Sequence, residues 1–187
     1  MRQITVRALG FAVALLIAAT LSVRAQSYKV DPAQTRIAFE IGAKDYPLTQ
    51  GVFRRFTSRL AIDLDRPQRS SVRFTIAAAS LDTRAPALDD YVRGPAFLNT
   101  DRHPDIHFVS TSVEKLDDHT VRVRGNLTLL GVTRPESVTV RVQRDPDRSF
   151  GLRAEFHLQR SRFGMTAGLP LISDHVRIIV ATRAGET

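Results

Sequence analysis

The stretch Val121-Arg122-Val123-Arg124-Gly125-Asn126-Leu127-Thr128-Leu129 decides the fold, together with the Leu130-Gly131-Val132-Thr133-Arg134-Pro135 that follows it. Apolar residues fall on every second position, with arginine, asparagine and threonine between them. Successive strand side chains point to opposite faces, so this pattern predicts a strand with one greasy and one wet face. The glycine-containing segment after it predicts a tight turn. The same period recurs on both sides. Val72, Phe74, Ile76 and Ala78 alternate with polar or small residues, as do Val138, Val140 and Val142, then Leu152, Ala154, Phe156 and Leu158. Ile37, Phe39 and Ile41 read as an earlier strand, Phe56, Leu60, Ile62 and Leu64 as another, and Ile106 with Phe108 as the start of a third. Val176, Ile178 and Val180 close the series.

Half-wet strands joined by short turns predict an all-β antiparallel meander. The turns are placed at Asp65-Arg66-Pro67, Leu116-Asp117-Asp118-His119, Gly131-Val132-Thr133 and Asp145-Pro146-Asp147-Arg148. Closing a meander hides its edges, and eight strands leave an interior just wide enough for side chains or one small ligand. The expectation is an extended eight-stranded, lipocalin-like barrel, with eight or nine strands readable in the pattern. Two places break it. Phe53 and Phe56 have opposite parity across Arg54-Arg55, which predicts a bulge or bend. Residues 80–99 hold Pro86, Gly94 and Pro95 and read as a non-strand insertion with a short helical piece at Leu88 to Val92. This insertion forms a lid over the barrel mouth, or Phe97 plugs the barrel floor.

The first 25 residues read as a segment outside this domain. Arg2 and Arg7 precede a 14-residue apolar run, and Val23-x-Ala25 is a small-residue cleavage site. That arrangement predicts a secretory signal peptide, since a spanning helix needs about 20 apolar residues. The domain is then residues 26–187, and a periplasmic or secreted location follows. The chain has no cysteine, which excludes disulfides and thiolate metal sites. Its net charge is +8, or +5 without residues 1–25. The arginines are spread along strands (Arg73, Arg122, Arg124, Arg141, Arg153 and Arg177) with no aromatic stacking platform, which argues against nucleic acid. Transient contact with anionic lipid head groups suits such a surface better.

No catalytic or metal site is predicted. His103 and His107 have metal-ligand spacing only on a helix, and Pro104 between them marks a turn entering a strand. Positions four apart on a strand lie about 13 Å apart. No G-x-S-x-G elbow and no glycine-rich phosphate loop are present. The predicted chemistry is therefore binding. Interior candidates are Phe39, Ile41, Phe74, Ile76, Phe108, Leu127, Leu129, Val140, Phe156 and Ile178, with Tyr91 and Phe97 from the insertion. Ala78, Gly125 and Ala154 are small enough to leave room along the axis.

Several short segments, in order, resemble the YceI-like family of exported bacterial proteins, lipocalin-like barrels that bind polyisoprenoids. They are Tyr28-Lys29-Val30-Asp31, Gly51-Val52-Phe53-Arg54-Arg55-Phe56, Ser80-Leu81-Asp82-Thr83 and Phe97-Leu98-Asn99 with Pro104 and Phe108. The segment from Leu127 to Pro135, then Arg160-Ser161-Arg162-Phe163-Gly164-Met165 and Asp174-His175-Val176 complete the set. The resemblance runs from Tyr28 to Val180. It implies an apolar tunnel holding a polyisoprenoid, an isoprenoid quinone tail or a similar amphiphile, with no catalytic cofactor, in a monomer or homodimer. Ala43 and Tyr91 stand where the family often carries histidines. Tyr46, Tyr91, Asp89 and Asp90 are then the candidates for contact with a ligand head group. The competing readings are a hydrolase or isomerase acting on an amphiphile at the tunnel mouth, a barrel filled by its own side chains, and a protein that works through its arginine-rich surface.

Overall fold

A computed structural model describes residues 26–186, apart from Leu64, Asp147 and Arg148. The expected signal peptide therefore lies outside the described residues, as do parts of the strand end at Leu64 and the turn at 145–148. The strands are β1 (Gln26–Val30), β2 (Arg36–Ala43), β3 (Tyr46–Phe53), β4 (Phe56–Ile62), β5 (Ser71–Ala77), β6 (Leu81–Asp82), β7 (Asp105–Lys115), β8 (Thr120–Leu129), β9 (Val132–Arg144), β10 (Phe150–Gln159) and β11 (Ile172–Glu186). One α-helix, α1 (Pro86–Arg93), follows β6.

All eleven strands belong to one curled antiparallel sheet. Neighbours run β1-β4-β5-β7-β8-β9-β10-β11, and β11 pairs back to β1. From β11 the sheet also continues to β2, β3 and β6. The long β11 makes this branching. Its first part pairs with β2, from Ile172 opposite Ala43 to Ala181 opposite Arg36, and its last residues pair with β1.

Eleven strands are found where eight were expected: β1, β3 and β6 have no counterpart among the alternating segments read from the sequence, and three backbone breaks set them off from the strands that follow or precede them. Asp31 caps a 3-10 turn at Pro32–Gln34, its carboxylate accepting the Ala33 N–H at 2.9 Å, and this separates β1 from β2. Arg54-Arg55 separates β3 from β4, at the predicted parity break. A 3-10 turn at Ala78–Ser80 separates β5 from β6. The Ser80 hydroxyl holds the last two breaks together: it accepts the Arg55 N–H at 3.0 Å and donates to the Ala77 carbonyl at 2.6 Å. The insertion was expected to hold no strand. It begins with β6, whose two residues pair with Val52 and Phe53.

The opening stretch forms the β8–β9 hairpin, with a loop of Leu130 and Gly131 at φ 53° and 73°. Two consecutive positive φ values make the primed turn that matches strand twist. Val132 and Thr133, read from sequence as turn, are already strand and pair with Leu129 and Thr128. Two buried clusters lie inside the curl. One holds Phe39, Leu81, Phe97, Leu98, Ile106, Leu158 and Phe163. The other holds Tyr28, Val30, Leu60, Phe150 and Ala184.

The outer face carries the charges as cross-strand pairs. Arg177 on β11 lies between Glu40 on β2 at 2.7 Å and Glu155 on β10 at 2.8 Å. Those two carboxylates hold its guanidinium above the ordinary range. Glu114 on β7 takes both Arg122 and Arg124 of β8, at 3.3 and 3.1 Å. Three of the six strand arginines picked out in the sequence are thus matched by acids. That pairing weakens the case for a broad cationic face.

Candidate functional site

Inside the curl the alternation of burial is incomplete, and this defines the site. Along β10, Ala154 and Leu158 are buried, while Leu152 and Phe156 on the same inward face are only half-buried. Phe74, Ile76, Phe108, Leu127, Val140 and Ile178 are likewise inward and half-buried. A close-packed interior leaves few voids larger than a water molecule. These side chains instead border a cavity of about 380 Å³. Its wall includes Val121 and Leu129 at opposite ends of β8. Eight residues of strand at about 3.4 Å each make this span about 27 Å, so the chamber is elongated.

All twelve residues nominated from sequence border this one chamber. Phe39 and Ile41 come from β2, Phe74 and Ile76 from β5, Phe108 from β7, and Leu127 and Leu129 from β8. Val140 comes from β9, Phe156 from β10 and Ile178 from β11, with Tyr91 on α1 and Phe97 just after it. Phe97 is 7 % exposed and belongs to the buried cluster, so it closes an end of the chamber. Tyr91 is 59 % exposed and sets its ring edge-on against Phe97, with centroids 5.2 Å apart. Leu88, Tyr91 and Val92, spaced three and four residues apart on α1, all reach the chamber.

The small residues behave differently from expectation. Gly125 leaves no room, because the Phe108 ring lies across it: a Cβ there would sit 2.5 Å from Phe108 Cζ and 2.7 Å from the Val109 carbonyl oxygen. Ala78 is 1 % exposed within the buried cluster and does not border the chamber. Ala154 alone of the three is part of the wall.

Three of the four head-group candidates lie off the chamber wall. Asp89 is 7 % exposed and occupied, its carboxylate accepting the Thr83 N–H at 2.8 Å and the Thr83 hydroxyl at 2.6 Å. It anchors the start of α1, whose N-cap Ala85 has no capping side chain. Asp90 pairs with Arg93 at 3.2 Å, and Tyr46 projects into solvent. Tyr91 is the one of the four on the chamber wall. Ala43 is also part of the wall, at the same end.

Two kinds of wall residue escaped the sequence reading. Val113 is 5 % exposed and borders the chamber, but the register of β7 shifts between Ser110 and Ser112. The bulge reverses the parity set by Ile106 and Phe108, so period-two counting misses it. The signal was present as the polar run Ser110-Thr111-Ser112. The second kind is charged. Arg160 is 1 % exposed, and its guanidinium lies 6.0 Å from the Phe97 ring centroid. It donates to the carbonyls of Ser173 at 2.8 Å, Met165 at 2.8 Å and Ile172 at 3.1 Å. Burial pushes its pKa down and Asp174 opposes that. No periodicity marks a buried arginine whose partners are backbone carbonyls.

The far end of the chamber is polar. Asp63, Ser70, Lys115, Asp118 and Thr120, from the β4–β5 and β7–β8 connections, border it there. Lys115 pairs with Asp118 at 2.7 Å, which keeps that carboxyl below its ordinary range. Among the described residues no group of three histidine, aspartate or glutamate side chains is placed to hold a metal. His107 points outward, its ring nitrogen 3.2 Å from the Thr75 hydroxyl.

The comparisons with known proteins agree with this geometry. Residues 28–184 match the model of the YceI-like domain. Protein YceI of Salmonella newport is 32% identical over 180 residues, covering 92% of this chain and 94% of that protein. BcnA of Burkholderia cenocepacia superposes with a TM-score of 0.79 at 24% identity, over 84% of this chain and all (100%) of that one. A structure described as a polyisoprenoid binding domain from Saccharophagus degradans superposes with a TM-score of 0.72 at 14% identity, over 87% of this chain and 99% of that one. These two share the fold. With the family model reaching all eleven strands and curated relatives above 30% identity, the chain belongs to the YceI-like domain family.

Proposed function

We propose that this protein binds a long-chain isoprenoid, such as a quinone tail, or a similar amphiphile, and carries or sequesters it without a chemical step. The observation that carries the reading is the elongated apolar chamber, whose half-buried inward side chains line about 380 Å³ of space. Ligand pockets of this kind run from about 300 to 1,000 Å³. The description of the Saccharophagus degradans neighbour as a polyisoprenoid binding domain supports the ligand class. Periplasmic or secreted location, as the sequence of residues 1–25 predicts, belongs to the same proposal. In it the sheet acts as a closed eight-stranded barrel, with β1–β2, β3–β4 and β5–β6 each serving as one interrupted stave.

Magnitudes favour a carrier. At about 0.8 kcal/mol per buried methylene, roughly 40 prenyl carbons would sum to about 30 kcal/mol against water, beyond the practical affinity ceiling of about 20. Such a chain resides in a bilayer, where its carbons are already out of water. Exchange between bilayer and chamber is then nearly balanced, as reversible carriage requires. The predominance of apolar side chains in the wall supports holding a chain rather than acting on one.

The test is native mass spectrometry of the protein purified from its own cells, followed by organic extraction and lipid identification. A stoichiometric prenyl chain recovered chemically unchanged is the expected result. A bare protein that also refuses quinones and fatty amides on titration would overturn the reading. Recovery of a cleaved or isomerised amphiphile would replace it with the enzymatic one.

A further inference from the structure

Seven large apolar side chains are exposed among the described residues. Five of them, Tyr46, Leu48, Tyr91, Leu169 and Leu171, gather at one end of the chamber. Tyr91 joins the others through Phe97 and Arg160, whose guanidinium lies 6.0 Å from the Phe97 ring and donates to the Ile172 carbonyl. Tyr46 and Leu48 lie at the tip of the β2–β3 hairpin, where Ala43 pairs with Tyr46 and Ile41 with Thr49. The neighbouring loop before β11 is tied to this tip: the Lys44 N–H donates to the Leu171 carbonyl at 2.8 Å, and Ile172 pairs with Ala43. Ile172 also donates its N–H to the Gly168 carbonyl at 2.8 Å, which brings Leu169 into the same lobe. Ala43, Thr49, Tyr91 and Ile172 all border the chamber, so this patch rims it.

We propose that this rim docks on the surface of a lipid bilayer, as the gate through which cargo passes. The inference rests on the reading of the chamber as a site for a long apolar chain. Isolated exposed apolar residues need no explanation, but a cluster contiguous with an apolar chamber marks an interaction site. Its chemistry fits a membrane interface. Tyrosines and leucines seat in the headgroup boundary, and Lys44 beside them can extend its ammonium to the head groups. Without residues 1–25 the net charge is +5, which complements an anionic leaflet. A rim sunk in that boundary lets a chain leave hydrocarbon for the chamber without its methylenes meeting water.

Flotation of the purified protein with vesicles of phosphatidylethanolamine and phosphatidylglycerol, carrying no quinone, tests this. Leu48 and Leu171 are 55 % and 63 % exposed, so replacing them leaves the core intact. The double variant Leu48→Glu with Leu171→Glu is expected to bind vesicles about a hundredfold more weakly. Leu116→Glu, in the exposed turn after β7, is expected to bind like the parent. Equal vesicle binding by all three, or no flotation of the parent, would overturn the docking. Uptake of ubiquinone from detergent micelles separates this from the chamber reading. The double variant should load like the parent from micelles yet load slowly from vesicles of the same lipids into which ubiquinone has been incorporated. Loss of micellar loading in the variant would trace the effect to a damaged chamber and overturn the gate. A parent that floats but takes up neither ubiquinone nor a fatty amide would overturn the chamber reading while leaving the docking supported.

Discussion

Replacing Arg160 with methionine tests whether a buried cation holds one end of the chamber together. The side chain is 1 % exposed, and three carbonyls, of Met165, Ile172 and Ser173, accept its N–H groups within 3.1 Å. Methionine is flexible enough to fill much of the same space, so the packing loss is small. The carbonyls are the larger loss. A hydrogen bond to a charged group contributes about 1.5–3 kcal/mol, and a buried acceptor left without its donor costs about 1–3. Three such losses sum to about 6 kcal/mol, and relief from burying a charge returns several kcal/mol of that. The net destabilisation is about 3 kcal/mol, or about 10 °C in Tm for a domain of this size. Urea unfolding and differential scanning calorimetry measure it. Met165 and Ile172 border the chamber, so quinone retention should fall in parallel. Arg160→Lys keeps the charge but not the three-way geometry, and should fall between parent and Met variant. A loss below about 1 kcal/mol in Arg160→Met would refute the reasoning, because the carbonyls would then have found other donors.

Three further outcomes are expected. Gly125→Ala forces the Phe108 ring off its strand and into the chamber, costing about 1–3 kcal/mol in urea unfolding; a neutral result, or no partial relief from adding Phe108→Leu, would count against the contact. Ala154→Phe projects an aromatic ring from the wall into the chamber and should cut ubiquinone loading several-fold by mass spectrometry, at a cost of about 1–3 kcal/mol in stability because Ala154 is itself buried; full loading would show that the chain does not pass β10. Asp174 is held below the ordinary carboxylate pKa of about 3.9 by the Ser161 hydroxyl and the Gln159 amide. Its stabilisation is therefore complete above that value and lost as pH falls through the lower folded-state pKa, so Asp174→Asn should flatten the acid limb of stability against pH, and an NMR-titrated carboxyl at or above 3.9 would contradict it.

Much of the site was legible because a strand's period is so short. Two residues per repeat assign each side chain to a face from a handful of positions, and the twelve interior candidates do share one chamber wall. The errors fall where the backbone leaves that period. Val113 was missed at the bulge in β7, and the strand count was low because β1, β3 and β6 are too short or too polar to show a clear apolar alternation. Asp89 was a head-group candidate, yet its carboxylate is taken by Thr83, six residues back and reached only through the bend between β6 and α1.

The sequence by itself determined the all-β antiparallel class, the wet and greasy faces, and the family. These follow from local alternation and short ordered segments, which need no knowledge of distant contacts. Tertiary structure decided whether the inward residues meet or stand apart. Phe108 fills the space above Gly125, while Phe156 and Val140 keep theirs open, and both kinds of residue alternate identically in the chain. Only the curvature of the sheet fixes how far opposite walls stand from each other. That separation, which no local pattern encodes, makes the difference between a filled core and a chamber.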